Sequence, residues 1–272
     1  MCCKPRLELV EWLAPALPAD GRFDFIMQLE GEVFRDVPGR KTLRVTLGGR
    51  SCFVKQHFGV GWAEIFKNLS SGKWPVLTAR TEWDAIRKLG ELGIATTPAL
   101  GYGVRGCNPA GLQSFLITQD LGDIVSLETL CADWKNHPPT AGFKRKLLME
   151  VAALARRLHE GGMNHRDFYL CHICLDKPAL LRGEMVLYLI DLHRVGIRSK
   201  IRPSDRMKDL AALYFSAMEA GLGKRDYLRF LRHYRQRPLR ILAEEQGFWQ
   251  RVARRAAKLY LKFHGRMPAT TM

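Results

Sequence analysis

Gly161-Gly162-Met163-Asn164-His165-Arg166-Asp167-Phe168-Tyr169-Leu170-Cys171-His172-Ile173-Cys174-Leu175-Asp176 is the stretch on which the fold turns. An apolar-periodic segment precedes it, and a run ending in Ile190-Asp191-Leu192-His193 follows. Asp167 falls in a short loop between a buried helix and a strand. A carboxylate there can accept the proton of an acceptor hydroxyl and orient its oxygen toward phosphorus. Asp191 closes the apolar run Met185-Val186-Leu187-Tyr188-Leu189-Ile190, as a metal-holding carboxylate at a strand terminus would. A base, a metal-side residue five positions on, and a strand-closing Asp form the layout of phosphoryl transfer.

Position 172 departs from that layout, because His172 stands where a magnesium-binding Asn is usual. Magnesium prefers oxygen, so imidazole is a poor ligand for it. His172 either reaches the metal or only hydrogen-bonds Asp191 or a phosphate. Leu192-His193 replaces the usual Phe-Gly after the metal-side Asp, which argues against a mobile switch of that kind.

Upstream, Lys41-Thr42-Leu43-Arg44-Val45-Thr46-Leu47 alternates polar and apolar, Gly48-Gly49 makes a tight turn, and Ser51-Cys52-Phe53-Val54-Lys55 returns. Residues 25–57 as a whole read as strands. Lys55 suits an anion, here the ATP phosphates, and Glu82 on the following helix (78–91) is its natural ion-pair partner. Gly31, in Leu29-Glu30-Gly31-Glu32-Val33-Phe34-Arg35, lies where a phosphate-covering loop belongs. It is the one glycine there, which makes the clamp minimal. Ile117-Thr118-Gln119-Asp120-Leu121 fits a hinge whose backbone, around Gln119 and Leu121, takes the adenine edge. Asp209 either braces the catalytic loop or favours the start of its helix.

Strand-like Ala99–Val104 and Ser114–Thr118 complete a mostly β first half with one helix. The second half is mainly helical. Residues 141–160 place Leu147, Val151, Leu154 and Leu158 on one face, and Gly161-Gly162 ends that helix. Two short strands flank Arg182-Gly183-Glu184, and helices follow over 204–220, 224–236 and 241–264. A β lobe followed by an α lobe is the order of a protein-kinase-like α+β fold. We therefore expect a nucleotide-binding lobe over 1–120 and a catalytic and acceptor-binding lobe over 121–272.

The chain of 272 residues carries a net charge of +16, which favours an anionic partner: nucleic acid, membrane surface, phosphorylated glycolipid or acidic protein. Residues 224–266 hold thirteen Lys/Arg against three Asp/Glu. The connection between Lys55 and Glu82 mixes Trp62, Phe66 and Trp74 with Lys67 and Lys73, a composition suited to a sugar or lipid interface. The seven cysteines have no regular framework and read as reduced thiols; Cys171-x-x-Cys174 lacks a second pair for zinc. Met1-Cys2-Cys3-Lys4-Pro5-Arg6 opens no apolar signal core, so secretion is not expected. No run of about 18 apolar residues is present to span a membrane.

The chain resembles the lipopolysaccharide core heptose(I) kinases over most of its length. The resemblance is carried by Gly31-Glu32-Val33-Phe34-Arg35, Phe53-Val54-Lys55, Gly61-Trp62-Ala63-Glu64-Ile65-Phe66-Lys67-Asn68-Leu69, Pro75-Val76-Leu77 and above all Asn164-His165-Arg166-Asp167-x-Tyr169-x-Cys171-His172. That last run includes the His that breaks the general kinase pattern, which makes His172 a family trait. The resemblance implies an ATP-dependent sugar kinase using magnesium, with Asp167 as base and a heptose hydroxyl of the lipopolysaccharide inner core as acceptor. It further implies a cytoplasmic enzyme facing the anionic inner-membrane surface, peripheral to it, with acyl carrier protein as an acidic partner; nucleic acid is not expected. Two other readings are a related small-molecule or tyrosine kinase and a catalytically weak kinase-fold binding module. An acidic lining for aminoglycosides is at odds with the charge of +16.

Overall fold

A computed structural model describes residues 5–70, 77–238, 240 and 244–268. The chain divides into two compact units, one of residues 1–88 with 97–122 and the other of 89–96 with 123–272.

The first unit is built on a six-stranded antiparallel sheet. Its strands are β1 (Arg6–Leu9), β2 (Glu32–Val37), β3 (Arg40–Leu47), β4 (Arg50–His57), β5 (Ala99–Arg105) and β6 (Gln113–Gln119), in the spatial order β1-β5-β6-β4-β3-β2. Gly48 and Gly49, at φ 54° and 76°, join β3 to β4 with Leu47 opposite Arg50. Both turn positions lie in the left-handed region, which glycine enters without penalty. Cys52 and Val54 alternate inward and are fully buried with Phe115 and Ile117 of β6. Residues 25–27, expected as strand, instead end a helix, α1 (Arg22–Met27). Phe23, Ile26 and Met27 recur at helical spacing and pack onto that sheet face, where Phe23 meets Phe115 with ring centroids 5.5 Å apart. Two more helices follow β4: α2 (Gly61–Ser70), where the sequence suggested only a connection, and α3 (Arg80–Glu91). Lys73, Trp74, Pro75 and Val76 of the basic-aromatic connection lie outside the described residues.

The second unit begins with β7 (Ile124–Ser126) and α4 (Leu127–Cys131) and is organised around the long helix α5 (Ala141–Glu160). Thr140 caps α5, its hydroxyl accepting the Phe143 amide at 3.3 Å. Leu147, Val151, Leu154, Ala155 and Leu158 are buried along one face. After α5 come β8 (Met163–Asn164), β9 (Ile173–Asp176), α6 (Lys177–Leu181), β10 (Leu187–Leu189) and β11 (Gly196–Ile197). The chain ends in α7 (Pro203–Ala217), α8 (Lys224–Arg235) and α9 (Gln246–His264), with α8 packed on α5 and α9 on α7. Strands β10, β9 and β7 form one small sheet, and β11 pairs with β8. Gly162 makes that last pairing feasible: at φ 78° it turns the chain, and a Cβ there would lie 1.9 Å from the Arg198 carbonyl oxygen.

Four cysteines, Cys52, Cys131, Cys171 and Cys174, are free thiols. Cys107 is disulfide-bonded, its partner lying outside the described residues, so the expectation of uniformly reduced thiols is corrected there. An odd count without regular spacing does not exclude one bridge. Among the described residues no helix is long and apolar enough to cross a membrane.

Candidate active site

In the first unit the sheet positions Lys55. On β4 it stands opposite Thr42 of β3 and Leu116 of β6, on the face away from Cys52 and Val54. Its ammonium donates to Glu82 Oε1 at 2.5 Å, and the Glu82 side chain, in the first turn of α3, is only 5% exposed. A carboxylate that far from water requires a cation, and Lys55 supplies it.

Gly31 lies at the entry to β2, where a Cβ would come within 2.4 Å of the Arg44 carbonyl oxygen and 2.7 Å of Val45 Cγ1. Close approach to β3 is thus one physical reason for glycine at this position. Around the expected hinge, the Gln119 amide donates to the Pro98 carbonyl (2.9 Å) and the Asp120 amide to the Ser51 carbonyl (3.2 Å). The Leu121 amide makes no bond to the described residues. Asp120 locks the segment, accepting from Arg44 Nη2 at 2.6 Å, the Ser51 hydroxyl at 2.8 Å and the Gly122 amide at 3.0 Å. Burial raises its pKa, but these donors outweigh burial and hold the carboxyl below the usual range.

In the second unit the His165-Arg166-Asp167 loop is braced from behind by Asp209. This residue does not open its helix, as one reading had it, but sits fully buried within α7. Its carboxylate accepts the His165 amide at 2.6 Å and the Arg166 amide at 2.9 Å. Arg166 is thereby held at φ 72°, a conformation that a residue with a Cβ adopts only when its surroundings impose it. The buried His159 ring lies behind this brace, Nε2 3.4 Å from Asp209 Oδ2 and Nδ1 2.8 Å from the Tyr234 hydroxyl. His165 is fully buried, its Nε2 donating to the Ile190 carbonyl at 2.9 Å, and burial pushes its pKa down.

The loop so fixed presents Asp167, 20% exposed. His172 turns back on it: Nδ1 donates to the Asp167 carbonyl at 2.7 Å, which leaves Nε2 facing Asp191 Oδ2 at 3.5 Å. Strand β10 ends at Leu189, so Asp191 lies just beyond it, at φ 61°, rather than closing it. Asp191 Oδ1 is engaged by His193 Nδ1 at 2.5 Å. Arg194, three residues beyond Asp191, points Nη1 at both oxygens of Asp167, each 3.0 Å away. Asp167, His172, Asp191 and Arg194 thus converge. Spacing foretold the first three but not the arginine, whose contact spans two loops.

Asp191 and His172 are the donors available to a magnesium ion here. Asp191 Oδ2 and His172 Nε2 converge, and among the described residues no group of three or more His, Cys, Asp and Glu could hold a metal by itself. A magnesium ion is usually held by one or two carboxylates together with substrate phosphates and water, and it needs no larger protein cage. The residues fit that kind of open site. Cys171 and Cys174 do not compete for it, since burial raises both thiols, Cys174 to about 11.

Residues 24–234 match the lipopolysaccharide kinase (Kdo/WaaP) family. The chain belongs to that family. It is 48% identical over 241 residues to lipopolysaccharide core heptose(I) kinase WaaP of Pseudomonas aeruginosa, spanning 88% of this chain and 90% of the relative. With WaaP of Escherichia coli K12 it shares 44% over 255 residues, 93% of this chain and 96% of the relative. A solved structure, WaaP in complex with acyl carrier protein, superposes with a TM-score of 0.80 at 43% identity, covering 94% of this chain and 99% of that one. The expected kinase-like α+β fold and the lipopolysaccharide-kinase resemblance are both borne out, and the protein is an ATP-using phosphotransferase of the Kdo/WaaP family.

Proposed function

We propose that the protein transfers the γ-phosphoryl group of ATP to a heptose hydroxyl of the lipopolysaccharide inner core. The observation that carries the chemistry is Asp167, a partly exposed carboxylate on a loop whose backbone is clamped by the buried Asp209. The substrate class rests on near full-length similarity to heptose(I) kinases.

Asp167 takes the proton of the acceptor hydroxyl as that oxygen bonds to the γ-phosphorus and the bridging P–O bond breaks, releasing ADP. Lys55, oriented by Glu82, pairs with the ATP phosphates, and Gly31 lets the chain approach them. The Gln119 carbonyl and the Leu121 amide serve the adenine edge, because the Gln119 amide is already committed to Pro98. Asp191 is the principal ligand for magnesium and His172 Nε2 the auxiliary one. The ion, when bound, neutralises charge on the phosphates. The 1–120 segment acts as the nucleotide-binding lobe and 121–272 as the catalytic and acceptor-binding lobe. Similarity to a WaaP solved with acyl carrier protein supports that acidic protein as a partner of this basic one. A cytoplasmic enzyme that docks peripherally on the anionic inner membrane suits the excess of Lys/Arg in 224–266.

Incubation with γ-labelled ATP and dephosphorylated core oligosaccharide, followed by mapping of the label, tests the proposal. Label is expected on a heptose; ADP release with no labelled sugar would overturn the acceptor assignment.

A further inference from the structure

Phosphoryl transfer gathers negative charge on three oxygens in flight, and a cation beside the base lowers that barrier. From Phe168 to Cys171 the catalytic segment carries no Lys or Arg. The cation that touches Asp167 comes instead from beyond Asp191. Arg194 Nη1 lies 3.0 Å from both carboxylate oxygens.

The placement is built into the fold. Leu192 and Val195, on either side of the His193-Arg194 pair, are 1% and 4% exposed, and the Val195 amide closes a turn on the Leu192 carbonyl at 3.2 Å. Next comes β11, whose Gly196 pairs with Asn164 of β8, directly before the His165-Arg166-Asp167 loop. The arginine and the base are therefore carried on two adjoining loops tied together by one strand pair.

Stability does not account for this ion pair. Arg194 is 44% and Asp167 20% exposed, and pairs this open to water typically contribute about 0–1 kcal/mol. The arginine also retains unused donors, since Nη1 alone contacts Asp167 and no bond from Nε or Nη2 is made among the described residues. A guanidinium beside the base, with donors to spare, has the chemistry to receive phosphoryl oxygens.

We propose that Arg194 is a catalytic residue of this kinase, supplying beside Asp167 the cation that residues 168–171 do not provide. It pairs with Asp167 until the acceptor hydroxyl arrives. Its remaining N–H groups then hold the oxygens of the phosphoryl group as the acceptor oxygen–phosphorus bond forms, the bond to the ADP oxygen breaks and the proton passes to Asp167. The inference rests on the kinase reading, not on the identity of the sugar.

The test compares full-length wild type with Arg194→Ala, Arg194→Gln and Arg194→Lys. The readouts are turnover and Michaelis constants with core oligosaccharide, ADP release without acceptor, ATP binding and thermal melting. Removing the charge in the Ala and Gln variants should lower turnover about a hundredfold or more, as loss of an arginine on transferring phosphoryl does. ATP affinity and melting should stay within about twofold and a few degrees, because the contact is made in the transition state. Acceptor-free ADP release should fall as well, and Lys, which restores a point charge, should recover at least about tenfold of the loss. A merely structural arginine would shift melting with no recovery by Lys. A cap that blocks the base would raise ADP release on removal. Either result, or unchanged turnover, overturns the proposal. If wild type releases ADP but labels no core sugar, the heptose assignment fails while the ADP readout still judges Arg194; no ADP release at all would sink both.

Discussion

Each unit carries one carboxylate–cation pair in the proposed site, and the two pairs are built in opposite ways. Lys55 and Glu82 join a strand to a helix at 2.5 Å, with side chains 27% and 5% exposed. Arg194 and Asp167 join two loops at 3.0 Å, at 44% and 20% exposure. A buried carboxylate cannot be left alone, and losing its partner typically costs about 3–5 kcal/mol. An exposed pair can part and re-form at little cost. The first geometry suits a fixture that must not move, the second a base that must surrender a partner to accept a proton.

The contrast breaks most visibly at the reacting carboxylates. Asp191→Ala should abolish transfer at any accessible magnesium concentration, since the remaining imidazole is a poor ligand for that hard ion. Asp167→Asn keeps the shape but cannot take the proton, so turnover should fall about a hundredfold or more while ATP binding and the melting temperature change little. Near-wild-type turnover of the Asn variant, measured beside its ATP affinity, would remove Asp167 from the role of base.

The buried pair should respond differently, losing stability as well as rate. Lys55→Ala strands Glu82 and should lower the unfolding free energy by about 3 kcal/mol, whereas a Lys55→Ala/Glu82→Ala double variant should recover part of it. The two single losses of turnover should combine to less than their product, because both remove one shared interaction. Multiplicative turnover losses with additive stability losses would show that the pair does not act as a unit.

The smallest expected effect concerns the frame behind Asp167. Burial lowers the pKa of His165 from the ordinary value of 6.5, so the folded ring stays neutral where the unfolded one gains a proton. Protons then favour the unfolded chain, and stability should fall as pH drops below about 6.5, levelling off only below the folded pKa. Urea titrations at pH 7.5, 6.5 and 5.5 read this out. His165→Asn should flatten the slope over that window, and an unchanged slope would assign it to other groups.

Much of this site was legible because regular elements repeat. The alternation through Phe53-Val54-Lys55 put the lysine on a strand, and the helix expected over 78–91 put Glu82 within its reach. The apolar face of 141–160 delivered the chain into the catalytic loop, and α5 covers that same span. Irregular contacts were harder to see. Arg194 and Asp167 lie 27 residues apart on two loops, where no period links one side chain to another. Residues 25–27 looked like strand because an apolar run too short to show its period fits either state, and packing of Phe23 and Ile26 on the sheet decided for helix.

The sequence by itself determined the class of chemistry, the order of a β region before an α region, and the identity of Asp167, Asp191, His172, Lys55 and Glu82 as the residues to watch. These follow from local spacing, which folding preserves. Only the tertiary structure decided that Asp209 braces the loop rather than starting a helix, that His172 spends Nδ1 on the Asp167 carbonyl, and that Arg194 reaches the Asp167 carboxylate. None of these follows from a helical or strand period; each depends on where the folded loops and α7 place their polar groups. A buried donor or acceptor must find a partner wherever the fold puts one, and linear spacing carries no record of that choice.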